Sequence, residues 1–233
     1  MPLTLSARTA AGGFAATFGG VVRMVAFEPF VAASSKRQAV SASAVFLIAF
    51  LIVHVLGNLT IFSGPDTFNF YGHKLHEYRV LAAVEIYLGL GFLVHVASAL
   101  LLTRKDKKLA AGWPRSQLFL SGLLLLAFLI FHVITFRFGK YYETVIDGNV
   151  VRDIAKLQIE IFSEKKTVAW YVLCSIILGF HLLWGWKKTV RKPFLGISKT
   201  FVPAALLLGQ ALTFCIVVGF AACPLYTHLA LAN

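Results

Sequence analysis

Acidic residues are scarce in this chain of 233 residues: ten Asp and Glu stand against 22 Lys and Arg, for a formal net charge of +12. A surplus of that size suits an anionic partner, either nucleic acid or an anionic membrane face. Cysteine is scarcer still. The three present, Cys174, Cys215 and Cys223, show no CxxC spacing, which gives no indication of an iron–sulfur cluster or a zinc site. They read as small apolar packing residues. Charge of either sign is missing from several long stretches, and apolar residues fill them. The chain is 58% hydrophobic with a mean hydropathy of +0.78, the composition of a membrane protein. Its length suits one compact bundle.

Five apolar runs approach the ~20 residues that a bilayer core demands, at about 40–62, 80–102, 117–137, 168–187 and 201–223. The expected fold is all-α, an integral membrane bundle of five transmembrane helices over 40–223. A surface segment at 1–39 precedes it and a short tail at 224–233 follows. Residues 1–39 are rich in Ala, Gly and Ser, with Arg8, Arg23, Lys36 and Arg37 against one acid, Glu28. They read as a lead-in lying on the membrane, or alternatively as a mitochondrial transit peptide. Gly64-Pro65-Asp66 and Asp147-Gly148-Asn149 mark turns. Val150, Ile154, Leu157 and Ile161 recur at helical spacing, which predicts a short amphipathic helix on the membrane surface.

The basic residues are distributed unevenly. The 1–39 segment and the links at 103–116 and 187–200 hold most of them, with only Glu28 and Asp106 as acids. The positive-inside rule therefore places the N-terminus inside and, after five crossings, the C-terminus outside. That distribution selects the lipid bilayer over nucleic acid as the anionic partner.

One histidine lies deep in each of the first four runs: His54, His95, His132 and His181. An ionisable side chain at that depth marks a functional site by default. One such histidine taken alone is more often a hydrogen-bonding or proton-relay residue. Four, one per helix and matched in depth, need a common purpose. Alternating crossings put His54 and His132 near the outer face and His95 and His181 near the inner face. Iron in a b-type haem takes two axial nitrogens from opposite sides, and two helices can supply them. The pattern predicts two bis-histidine haems b, on levels about 10 Å apart at ~1.5 Å rise per residue. Gly57, Gly91, Ser98 and Gly185 lie three or four residues from a histidine and leave room for a flat macrocycle or for close helix packing.

Several segments carry a resemblance. They are His54-Val-Leu-Gly57-Asn58-Leu, Gly64-Pro-Asp-Thr-Phe-Asn-Phe-Tyr71, His95, Phe131-His132 and Leu178-Gly-Phe-His181-Leu-Leu-Trp-Gly185, with Ser34-Ser-Lys-Arg and Arg152-Asp153. Over about residues 34–190 the chain resembles the di-haem cytochrome b membrane subunits of succinate:quinone oxidoreductases, in their single-chain five-helix form. The resemblance implies a membrane anchor for a flavoprotein and an iron–sulfur subunit on the inner face, in a complex whose oligomeric state it leaves open. Succinate and fumarate would interconvert on the flavoprotein, so no dicarboxylate site is expected on this chain. Electrons would pass between the iron–sulfur subunit and a quinone, menaquinone being favoured. His95 and His181 would hold the proximal haem, His54 and His132 the distal one. The host membrane would be a bacterial cytoplasmic membrane, with the mitochondrial inner membrane as alternative.

Quinone chemistry needs a proton carrier near the distal haem. Candidates are Glu77, His76, His73 and the deeper Glu85; Glu77 is chosen by position, and a basic partner would explain Glu85 otherwise. Some family members have a glutamate two residues before the fourth ligand; here that position is Gly179, and no proton route is predicted through it. Lys36, Arg37, Arg115, Lys187 and Lys188 on the inner side, and Arg79 and Arg137 on the outer, could bind haem propionates or act as interfacial anchors. Span five lacks a buried histidine and reads as packing and lipid cover, with His228 solvated at its end. Two other functions fit four intramembrane histidines. One is a stand-alone electron shuttle of the cytochrome b ascorbate-reductase kind; the other is a proton-coupled transporter with relay histidines.

Overall fold

A computed structural model describes residues 33–77, 80–105, 113–191 and 195–232. Most of the 1–39 segment lies outside the described residues. The described chain is largely helical, with seven α-helices: α1 (Ala33–Leu59), α2 (Pro65–Glu77), α3 (Val80–Lys105), α4 (Trp113–Arg137), α5 (Ile154–Phe162), α6 (Lys165–Thr189) and α7 (Val202–Tyr226). Five of these regions are long and apolar enough to cross a membrane: Gln38–Ser63, Ala82–Leu102, Gln117–Arg137, Lys165–Thr189 and Val202–Leu231. They match the five apolar runs, because a backbone in lipid satisfies its own polar groups most simply as a helix.

The spans pack in the order α3–α1–α7–α6–α4. Lipid tails are as apolar as leucine, so small residues that admit a neighbour closely are what draw such helices together. The α6–α7 seam has Gly179 against Val217 and Gly209 against Trp186, whose indole N–H donates to the Ala205 carbonyl at 2.8 Å. On the α1–α7 seam Gly219 receives Val55. A methyl group at any of these glycines would overlap its neighbour. Cys174 and Cys223 are buried and Cys215 is exposed, all as free thiols. The consecutive helices α3 and α4 have little direct packing, and between the two sides of the bundle runs a cavity of about 2220 Å³.

A cap closes one end of the bundle. It consists of α2, a β-hairpin, α5, and a π-helical turn (Thr227–Leu231) that continues α7. The hairpin is the departure from an all-α chain. Strands β1 (Glu143–Ile146) and β2 (Asn149–Arg152) pair antiparallel with Val145 opposite Val150. Asp147 and Gly148 join them, both at positive φ (50° and 77°), the combination a two-residue hairpin turn requires. The expected amphipathic helix therefore begins at Ile154 rather than Val150. Asp153 stops the strand and caps the helix, its carboxylate accepting from the Lys156 N–H at 2.9 Å. The Gly64-Pro65 turn is followed at once by α2, Pro65 taking the first helical position.

Buried polar contacts tie the parts of the cap to one another, and to the bundle through the turn that continues α7. Asn69, 2% exposed, donates to Asp153 Oδ1 at 2.8 Å and accepts from the Ala155 N–H at 2.9 Å. Gln158 donates to Thr227 Oγ1 at 2.8 Å. His228 is not simply solvated: its Nδ1 lies 2.8 Å from the Phe162 carbonyl, to which it donates. Ile61, Ala155 and Cys223 make the apolar centre beneath.

Candidate functional site

The four span histidines lie along one cavity, each from a different helix. They meet in two pairs. His54 of α1 faces His132 of α4 with ring centroids 5.9 Å apart and planes at 86°. His95 of α3 faces His181 of α6 at 6.2 Å and 71°. These are the pairs that depth arithmetic gives. With a metal–nitrogen bond of ~2.0–2.1 Å on each side and the half-width of each ring, two imidazoles trans to one metal ion have centroids about 6 Å apart. Among the described residues no group of three or more His, Cys, Asp or Glu is placed to hold a metal ion. A pocket for one small ligand spans roughly 300–1,000 Å³; this cavity, at about 2220 Å³, is larger than that range.

The two pairs have different surroundings. Ser43 Oγ lies 2.7 and 3.0 Å from the Ala39 and Val40 carbonyls, which take its single proton, and 3.3 Å from His95 Nδ1. It therefore accepts from that nitrogen. Ser121 stands likewise 3.0 Å from His181 Nδ1 and 3.3 Å from the Leu118 carbonyl. His95 thus carries its proton on Nδ1 and keeps the Nε2 lone pair, and His181 has a serine hydroxyl against the same ring nitrogen. The signal for these serines was absent from any motif: a hydroxyl within reach across helices is a tertiary fact. Gly122 on α4 fits the same pair, since a Cβ there would meet His181 Cε1 at 3.3 Å.

The His54–His132 pair sits in an aromatic shell under the cap. Phe50 stacks on His54 at 5.2 Å and Phe220 lies at 5.6 Å. Phe128, Phe136 and Tyr171 surround His132 at 5.8, 5.1 and 6.1 Å. Asn58 donates to the His54 carbonyl at 2.8 Å, and its amide nitrogen is 3.5 Å from His54 Nε2. His132 Nδ1, Tyr171 Oη and Arg152 Nε are buried here without a hydrogen-bond partner. Neither Tyr171 nor Arg152 was singled out for this site from the sequence.

The other candidates are dispersed. Glu85 and His76 line the cavity; Glu77 does not. Glu85 pairs with Arg137 at 3.2 Å, linking α3 to α4 at the cap end. His76 Nδ1 donates to the Gly72 carbonyl at 2.8 Å. Glu77 is exposed between Lys74 at 2.8 Å and His73 at 3.1 Å. The hydrogen bond from Lys74 holds its carboxyl below the usual range, with the charge of His73 adding to it. Arg137 lies at the cap end of the cavity, and Lys187 and Lys188 line it further along. Arg79 and the side chains of Lys36, Arg37 and Arg115 lie outside the described residues. Of the small residues near the histidines, Gly57 and Gly185 line the cavity. Gly57 also receives Tyr71, and Gly91 receives Phe46 instead of facing a histidine. No family model, curated protein or solved structure matches this chain.

Proposed function

We propose that this chain is a membrane cytochrome b in which His54 with His132, and His95 with His181, each bind the iron of one haem b. The observation that carries the reading is the facing of two imidazole pairs, at 5.9 and 6.2 Å, across one cavity. The residues fit such a group in further ways. Ser43 and Ser121 stand within hydrogen-bond reach of the Nδ1 atoms of one pair, and the second ring nitrogen of a metal-binding histidine characteristically has such a partner. Glycines 57, 122 and 185 keep the walls low. Basic side chains occur at both ends of the cavity, where carboxylate tails would emerge.

When bound, haem would supply one-electron chemistry, and two imidazoles held to each iron by the protein would leave no open position for oxygen. The protein's part is to fix the two ring planes, exclude water with the aromatic shell and set ligand basicity through the serines. In the fuller reading the N-terminus is inside. The chain anchors flavoprotein and iron–sulfur subunits there and passes electrons between them and a quinone in a bacterial cytoplasmic membrane. Of the candidate proton carriers, Glu85 and His76 are the better placed, since they line the cavity. Glu77, ion-paired and already charged, is the poorer one.

A visible spectrum of the purified chain, oxidised and then dithionite-reduced, tests the haem reading: Soret and α-bands are expected, and their absence overturns it. Co-purification of a flavin-bearing and an iron–sulfur chain is expected of the anchor role. A lone haem protein would favour the stand-alone shuttle.

A further inference from the structure

The β-hairpin of the cap has one face turned to protein and the other left bare at its Val145/Val150 end. Pairing of Glu143 with Arg152 and of Val145 with Val150 sets these four side chains on a single face, because side chains alternate along a strand. On the opposite face Val151 is 3% exposed, in a strand that packs beside α2. Val145 and Val150 are 66% and 65% exposed. Two adjacent β-branched side chains with nothing over them are a poor arrangement in water, where a lone two-stranded hairpin is only marginally stable.

Arg152 gives the direction in which that face looks. Its guanidinium donates to the Phe136 carbonyl at 2.8 Å, in the last turn of α4, and lies over the Tyr141 ring at 5.4 Å. The valine face is therefore turned toward the end of a membrane-spanning helix. Along α4, Ile130 and Ile134 are exposed at helical spacing, and Phe138 continues the stripe just past the helix end. Tyr141 is exposed next. The exposed apolar side chains of the span are thus followed along the chain by Phe138, Tyr141, Val145 and Val150, all exposed. The charged group of Lys140, Tyr142 and Glu160 forms a separate, water-facing set.

We propose that the hairpin is an interfacial anchor, its Val145/Val150 face seated with Phe138 and Tyr141 in the boundary layer of the bilayer. Aromatic and aliphatic side chains favour that layer. The occupant of the face is lipid, not a protein partner. The proposal depends on α4 spanning the membrane and is independent of any bound metal.

The test uses the full chain in phosphatidylcholine vesicles with Cys215→Ser, which removes the exposed native thiol. A bimane is attached at Val145→Cys, at Val150→Cys or, for reference, at Asn149→Cys on the opposite face. Both valines are exposed, so neither substitution opens the core. Nitroxide lipids labelled near the headgroup should quench positions 145 and 150 more than lipids labelled deep in the chain, and aqueous iodide should quench them little. Position 149 should show the reverse. Strong iodide quenching at 145 and 150 would overturn the proposal by placing them in water. Protection from both quenchers would overturn it equally, by placing protein there.

Discussion

The two histidine pairs share one cavity and one ligand chemistry but differ in what stands behind them. At the His95–His181 pair each Nδ1 has a serine oxygen, and each serine is itself tied to its own helix backbone. At the His54–His132 pair the neighbours are mainly rings, and His132 Nδ1 has no partner among the described residues. A hydrogen bond accepted from Nδ1–H makes an imidazole more electron-rich and fixes its tautomer. Under the proposed reading the serine-backed pair favours ferric iron, and the ring-surrounded pair has the higher potential. Electrons would then run downhill toward the cap, or uphill away from it, depending on the potential of the quinone.

The largest effect is expected from removing a ligand. His54→Ala or His132→Ala should abolish the optical signal of one haem and spare much of the other. His95→Ala or His181→Ala should do the converse. Loss of the same haem from both sets would break the comparison at its root. Next, Ser43→Ala or Ser121→Ala should raise the midpoint potential of the serine-backed haem alone, in a spectroscopic redox titration. Loss of such a partner also loosens metal binding by roughly 10- to 100-fold.

A smaller change is expected from Asn69→Ala, which strips Asp153 and the Ala155 N–H of a buried partner. Leaving buried polar groups unsatisfied costs about 1–3 kcal/mol. Thermal unfolding in detergent should register the loss, and the cap-side haem spectrum should broaden while the other does not. Smallest is Glu77→Gln. Its carboxyl is held below its ordinary value of 4.5 by Lys74, so the stabilisation from pairing is present above that value. It is lost as pH falls through the lowered one. Under the proposed reading, between pH 6 and 8 the variant should leave the pH profile of quinone turnover as in wild type, whereas Glu85→Gln should change it.

Much of the architecture was legible because it is written in run lengths. A stretch such as Ala44–Phe62 has few ways to satisfy its backbone in lipid, and counting residues along alternating crossings suffices to level the four histidines. The hairpin was misread because Val150 satisfies a helical spacing by accident. Asp147-Gly148 was recognised as a turn, but nothing in the 149–152 stretch said that it would fold back on 143–146. Gly91 suited a macrocycle or close helix packing alike, and it serves the second, receiving Phe46 of α1. Small residues have the same appearance in sequence whether they face a ligand or a neighbouring helix.

The sequence by itself determined the number of helices long and apolar enough to span, the helix on which each histidine sits and its level along that helix, since these follow from hydrophobic length and a fixed rise per residue. Only the tertiary structure decided what stands beside each imidazole: serines crossing from α1 to α3 and from α4 to α6, or rings gathered under the cap. Periodicity places a residue on its own helix. Its neighbours on other helices depend on how those helices are rotated and seated, and close packing at a few glycines sets that.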